Sequence, residues 1–423
     1  MGRIRPVTET HPAYDFLIYK DGDYYKIQDA KNGSIEKTGS FNEAMSRVLV
    51  NGNVILIKKG EYEITDTVQI TRNDIILLGE GKATKLIYDW TPEFNVHRPM
   101  IEIKASSGNI SDVHLKNLYF YGAGGYGGSN GINQAICFQN AYRCSVEGCY
   151  FENMGGHGAC EFYGCYRCSV RFNHFLDGIL FNAVYFYAGY GQHLVMGNQL
   201  KTQPDGGAAG VTIYACPDCS IIGNKVHDGV MVFNIEPGAH RTLIIGNAAY
   251  NIRKDGICIN AEDCIVADNI LYNINTIGWA DRHAINIGPD TKRVKVHHNV
   301  INTAGARGIN IMSGAELTTV EFNTILNTTL EPIKDEGTNS KIRFNNGFVT
   351  ENSGEVTIPA GSSYVDVTHG LDITPSLKKI VLTPLDDLGG RSIWVSDANS
   401  TTFRINLSSV DSIDHTIGWS YRE

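Results

Sequence analysis

The stretch "CSIIGNKV", Cys219 to Val226, sets alternating apolar residues before a glycine and an asparagine. The same outline recurs in "CSVRFNHF" (168–175), "HLVMGNQL" (193–200), "TLIIGNAA" (242–249), "CIVADNIL" (264–271), "VKVHHNVI" (294–301), "TVEFNTIL" (319–326) and "KIRFNNGF" (341–348). The asparagines are Asn173, Asn198, Asn224, Asn247, Asn269, Asn299, Asn323 and Asn345, spaced by 25, 26, 23, 22, 30, 24 and 22 residues. "CSVEGCYF" (144–151) precedes them with Cys149 in the asparagine's place. Between these segments runs a second series: "ACEFYG", "AVYFYA", "GVTIYA", "VFNIEP", "GICINA", "AINIGP" and "GINIMS".

Both series alternate with period two and are rich in Val, Ile, Phe and Tyr, which is strand chemistry. Short strands recurring every ~24 residues leave no room for a helix, so each repeat is one coil of a solenoid. Stacked coils pair as parallel strands ~4.8 Å apart. An asparagine kept in register at an inner turn bridges the coils above and below through its amide, satisfying buried backbone. The pattern predicts an all-β, right-handed parallel β-helix over residues 53–348, the hand resting on the general preference of such solenoids.

The ends follow other patterns. "SFNEAMSRVLV" (40–50) has Ser40 at an N-cap, Glu43 three residues on and apolar residues at helical spacing, which predicts a helix plugging the first coil. Before it, "DFLIYKDGDYYKIQ" reads as a hairpin, so residues 1–52 form an N-terminal cap. After Asn345 the repeat stops. Short alternating strands broken by Gly, Pro and Asp-Asp turns predict a small C-terminal β-sandwich over 349–423, attached through the polar "TENSGE".

Bulk composition narrows the function. The 423 residues, 42% hydrophobic and 19% charged, make a globular chain with a large core. A formal net charge of −9 excludes an ordinary nucleic-acid binder and leaves room for a local basic groove. No apolar run reaches the ~18 residues of a membrane span. "MGRIRPVTETHPAYDF" has a basic pair but no apolar signal-peptide core. Of the ten cysteines, Cys144, Cys168, Cys219 and Cys264 sit five residues before their ladder positions, with His193 at the equivalent place between them. The register reads as a core column of free thiols; disulfides, or a metal at Cys165-x-x-Cys168 and Cys216-x-x-Cys219, are the alternatives.

In a parallel solenoid, outward residues stack into rows. The second series gives Cys137, Glu161, Tyr185, Thr212, Asn234, Cys258, Asn286, Asn310, and beside it Gln139, Tyr163, Tyr187, Tyr214, Glu236, Asn260, Gly288, Met312. Just before these strands lie His157, Asn182, Lys254 with Asp255, Arg282 with His283, and Arg307. Tyrosines suit sugar rings, and a basic rim suits carboxylates or sulfates. The expected substrate-binding residues are Glu161, Tyr163, Tyr185, Tyr187, Tyr214, Asn234, Asn260, Asn286 and Arg307. Glu236, close to His240, is the expected acid/base. No cofactor is required by the pattern; Glu262 and Asp290, in one turn row, are the candidate ligands for a Ca2+ ion.

The coils resemble the pectate-lyase-like superfamily of lyases, epimerases, hydrolases and phage tailspikes. Within them, "FNIEPG", "KDGICINAEDCIVADNILYN" and "ADRHAINIG" resemble the catalytic coils of mannuronan (alginate) C5-epimerases. The family's Asp-Arg-His and following strand fall on Asp281, Arg282, His283 and Asn286. Its Asp-Pro-His falls on Glu236-Pro237-Gly238, and its second catalytic Asp on Asn260. The carboxylate is kept as Glu, the His is Gly with His240 two residues away, and the second Asp is an amide. The resemblance implies a polysaccharide lyase or epimerase acting on a uronic-acid polymer. Arg282 and Lys254 would neutralise the acid group, and His283, His240 or Tyr214 would move the proton. The competing readings are a tailspike-like glycan-binding surface protein, as a homotrimer, and a glycoside hydrolase. Such functions place the protein outside the cell or on a virion or cell surface, while free thiols leave a cytoplasmic origin open.

Overall fold

The computed structural model describes residues 14–88, 98–122, 133–154, 158–202 and 209–422. Three long sheets wind around one core. The first sheet pairs the strands of the asparagine-bearing segments, such as Ser220–Ile222 on Leu243–Ile245, in parallel register. The second follows each asparagine, as in Lys225–His227 on Ala248–Ile252. The third carries the second series, as in Asn182–Tyr187 on Ala209–Tyr214. The second and third sheets each contain 11 strands, and the first contains 15 because the N-terminal strands extend it.

The corner between the first two sheets explains the repeat. The residue before each ladder asparagine is left-handed, with φ of 56° at Phe172, 63° at Gly223, 56° at Asp268 and 57° at Phe322. Non-glycine residues there cost ~1–2 kcal/mol each, and the hydrogen bonds of the next residue offset that cost. Asn247 is typical. Its Oδ1 accepts from Asn224 N–H at 2.9 Å and from Asn224 Nδ2 at 3.0 Å. Its Nδ2 donates to Asn269 Oδ1 at 2.9 Å and to the Ile221 carbonyl at 2.9 Å. The chain of amides runs unbroken from Asn173 to Asn345, with Cys149 N–H as its first donor.

Inside, like stacks on like. Phe138, Phe162 and Phe186 form one column with ring centroids 4.6 Å apart. Cys144, Cys168, His193, Cys219 and Cys264 form another, immediately before the paired strands of the first sheet. All ten cysteines are free and buried. Among the described residues no three His, Cys, Asp or Glu side chains converge as a metal site.

The N-terminal end carries a hairpin and a helix. Phe16–Asp21 and Tyr24–Asp29 form the hairpin, turning through Gly22-Asp23, and Ile35–Thr38 adds a third antiparallel strand. The helix spans Phe41–Asn51; Ser40 Oγ accepts from Glu43 N–H and Glu43 accepts from Gly39 N–H, both at 3.1 Å. Phe41, Ala44, Met45, Val48 and Leu49 bury its inner face. At the other end, two three-stranded antiparallel sheets pack around Phe403, Ile405, Ile417 and Trp419. The junction is tighter than a polar linker. Ile373 packs against both cores, and Asp372 exchanges backbone and side-chain hydrogen bonds with Val349 at 2.8 and 2.7 Å. Among the described residues no helix is long and apolar enough to cross a membrane.

Candidate functional site

The outer face of the third sheet brings the two rows together in the register their spacing implies. Glu161 pairs with Tyr185, Tyr185 with Thr212, Thr212 with Asn234, Asn234 with Cys258, Cys258 with Asn286 and Asn286 with Asn310. Alongside, Tyr163, Tyr187 and Tyr214 stack on successive coils with centroids 5.4 and 5.3 Å apart and planes within 21° and 11°. Tyr163 and Tyr214 are 45% and 37% exposed, and Tyr187 between them is half-buried. The first row is the floor: Glu161 is only 8% exposed and takes a hydrogen bond from Gln134 Nε2 at 2.6 Å. Burial and the neighbouring Glu161 push the Tyr185 hydroxyl up to about 12, so it stays protonated at neutral pH.

Beyond the tyrosines the floor turns to amides. Asn234 Nδ2 donates to Glu236 Oε1 at 2.5 Å, which orients that carboxylate. One coil on, Asn260 Oδ1 lies under Gly288; a Cβ at 288 would approach it to 2.0 Å and so would push the amide aside. Asn310 Nδ2 donates to Asn286 Oδ1 at 2.9 Å. His240 Nδ1 accepts from Glu262 N–H at 3.1 Å, which leaves the proton of a neutral ring on Nε2.

The rim is formed by the loops that enter the sheet. Asp255, 1% exposed, takes Arg282 Nη1 at 3.0 Å on one oxygen and His283 N–H at 3.0 Å on the other. Burial raises the Asp255 carboxyl, and the His283 N–H and Arg282 oppose that rise. Arg282 therefore spends part of its charge inside the protein. His283 lies beneath the rim at 4% exposure, and burial with Arg307 nearby pulls its ring down to about 4. It is neutral at neutral pH, and its buried Nδ1 has no hydrogen-bond partner. That position suits support of the rim better than proton transfer to a ligand in the groove. Arg307 pairs with Glu331 at 2.9 Å.

Other expected residues lie apart from this groove. Glu262 is paired with Arg293 at 3.1 Å, whose guanidinium is shared with Asp263. Asp290 is exposed at a left-handed turn, φ 61°. Among the described residues the pair does not converge with a third His, Cys, Asp or Glu side chain. His157 lies outside the described residues. Sequence reasoning passed over Asp255 as an anchor, Gln134, and Trp279, which is 49% exposed on the rim loop with Lys254 Nζ 5.6 Å from its ring centroid. A lone tryptophan in a polar loop was the available signal for the last.

A family model described as the right handed beta helix region matches residues 182–325. No curated protein matches by sequence. Among solved structures, the tailspike protein of E. coli bacteriophage HK620, in complex with a hexasaccharide, is 14% identical. The match covers 90% of this chain and 89% of that one, with a TM-score of 0.53. The A-module of the mannuronan C-5 epimerase AlgE6 of Azotobacter vinelandii is 12% identical, over 72% of this chain and 92% of that one, with a TM-score of 0.50. At such identities the likeness concerns architecture. The chain is a right-handed parallel β-helix, built like those of a phage tailspike and a mannuronan epimerase.

Proposed function

We propose that the groove on the third sheet binds an anionic, uronic-acid-containing polysaccharide and modifies it by lyase or C5-epimerase chemistry. The observation that carries this reading is the Tyr163–Tyr187–Tyr214 column running coil by coil into Glu236 and a cationic rim. Steps of ~4.8 Å along a rigid face fit a polymer of sugar rings better than a small metabolite. In such a reaction a base removes the proton on C5 beside the carboxylate. In a lyase the electron pair forms the C4–C5 double bond, the C4–O bond breaks, and the leaving oxygen takes a proton. In an epimerase the proton returns from the opposite face. Glu236 serves as the proton acceptor, since His240 already spends its lone pair on the Glu262 N–H, while Lys254 lowers the charge on the acid group and Arg282 holds the rim loop through Asp255.

Hydrolysis fits less well. It needs two carboxyl groups ~5–9.5 Å apart. Glu161 and Glu236 stand three coils apart, ~14 Å along the axis, and Asp255 is locked in its ion pair. The second reading is a glycan-binding surface protein without turnover, assembled as a homotrimer and exposed on a virion or cell surface. Asn260 and Gly238, standing where the epimerase pattern has Asp and His, favour it.

A panel of anionic and neutral polysaccharides separates these readings. Absorbance of unsaturated chain ends marks a lyase, and solvent deuterium at C5 without cleavage marks an epimerase. Reducing ends without unsaturation mark a hydrolase. Binding without any of the three establishes the surface-protein reading, and no binding to any polysaccharide refutes both.

A further inference from the structure

Among the described residues, three cations beside the amide end of the groove are neutralised from within the chain. Arg282 meets Asp255 at 3.0 Å, Arg307 meets Glu331 at 2.9 Å and Lys334 meets Glu336 at 2.6 Å. Lys254 differs. Among the described residues it has no carboxylate within ion-pair distance, and its ammonium rests instead against the Trp279 ring, 5.6 Å from the centroid. A π face holds an ammonium in place without cancelling its charge, so Lys254 keeps its full attraction for an outside anion.

The loop that presents Trp279 is built, not slack. The buried Asn275 side chain accepts Trp279 N–H at 3.1 Å and donates to the carbonyls of Trp279 at 2.6 Å and Arg282 at 2.9 Å. Arg282 N–H closes a turn onto the Trp279 carbonyl at 3.2 Å, and Asp255 ties down the next peptide at His283. Two buried polar side chains thus fix a loop whose largest apolar group stays half in water. That is the signature of a surface prepared for a partner and not of a packed core residue.

The geometry points to a subsite at Lys254 and Trp279 for a single acidic pyranose, with the carboxylate on the Lys254 ammonium and the sugar's C–H face on the exposed indole. This inference rests on the groove reading above. It makes Lys254 the group that selects acidic over neutral sugars, and makes Arg282 a positioning residue that holds the loop through Asp255. A carboxylate reaching Lys254 forms the charge-assisted contact that the other three cations already have from within the chain.

The test is isothermal titration of the full chain with galacturonate and mannuronate hexasaccharides, and with a neutral glucan hexasaccharide. The proteins are the parent, Lys254→Met, Trp279→Ala and Tyr187→Ala. Lys254→Met keeps the stem and removes the charge. It is expected to weaken uronate binding by ~10- to 100-fold and to flatten its salt dependence, leaving neutral-glucan binding unchanged. Trp279→Ala is expected to weaken uronate binding by ~5- to 50-fold. Lys254 is half-buried and Trp279 half-exposed, so a melting temperature accompanies each titration and should match the parent. If both variants bind the uronates like the parent while Tyr187→Ala does not, the subsite is wrong and the groove stands. If Tyr187→Ala also binds like the parent, or no hexasaccharide binds, the groove reading falls with it.

Discussion

Replacing Asn247 by Ala tests the ladder where it is most regular. The side chain supplies an acceptor to Asn224 N–H at 2.9 Å and a donor to the Ile221 carbonyl at 2.9 Å. The Asn224 N–H has no other place to turn, because the corner is buried, whereas the Ile221 carbonyl keeps the pairing of its strand with Leu243–Ile245. Asn224 Nδ2 and Asn269 Oδ1 each lose one partner of several. One orphaned backbone N–H puts the loss at ~1–3 kcal/mol. An unfolding entropy of ~2.1 cal/mol/K per residue over a solenoid of ~300 residues makes 1 kcal/mol worth ~1.6 °C. The variant should therefore melt ~2–5 °C below the parent by calorimetry, with unchanged far-UV circular dichroism. Asn302→Ala is the control, since its amide accepts only side-chain hydrogen bonds on the outer face; it should stay within ~0.5 kcal/mol. Equal melting of parent and Asn247→Ala would refute the claim that the amide column holds the corner.

His415 sits between two carboxylates, with Nδ1 2.8 Å from Asp386 and Nε2 3.0 Å from Asp411, and Arg391 also faces Asp411. Asp386 first, then Asp411, raise the imidazolium pKa, so its contribution is whole below the ordinary ~6.5 and fades as pH climbs through the raised value. The C-terminal sandwich should melt progressively lower above about pH 7, and His415→Gln should flatten that slope; a flat parent profile would contradict the assignment. Cutting after Thr350 removes Ile373 from the last coil and the Asp372–Val349 bonds but no parallel pairing. The truncated solenoid should keep its circular dichroism and bind more of a hydrophobic dye, whereas unfolding would make the sandwich an obligatory cap. In the groove, Glu236→Gln should lower turnover at least ~10-fold with the melting temperature unchanged, and Tyr187→Ala should mainly weaken binding. Full activity in both variants would move the site to another face.

The architecture was legible because a solenoid writes its register into the sequence. Asn173 through Asn345 recur where one geometric requirement recurs, and the outward rows follow by counting two residues at a time. The left-handed residue before each asparagine was less visible, since Phe172, Asp268, His298 and Phe322 hold the conformation that Gly197, Gly223 and Gly246 advertise. The site was legible in its rows and not in its depth. Counting along strands places Glu161, Tyr185 and Asn234 on one face but does not say that Glu161 sinks to the floor. Loops carry no period, so the anchoring of Arg282 by Asp255, the burial of His283 and the Asn275 scaffold behind Trp279 depend on contacts between coils of unequal length. The tight seam at Asp372 and Ile373 was hidden for the same reason: a polar linker sequence says nothing of what folds back onto it.

The most direct measurement is a crystal structure of Glu236→Gln with a bound uronate hexasaccharide. The account predicts sugar rings along Tyr163, Tyr187 and Tyr214, a C5 proton facing residue 236 and a carboxylate within ion-pair distance of Lys254. Sugar on the outer face of the second sheet, or on the C-terminal sandwich with the tyrosine column bare, would contradict it.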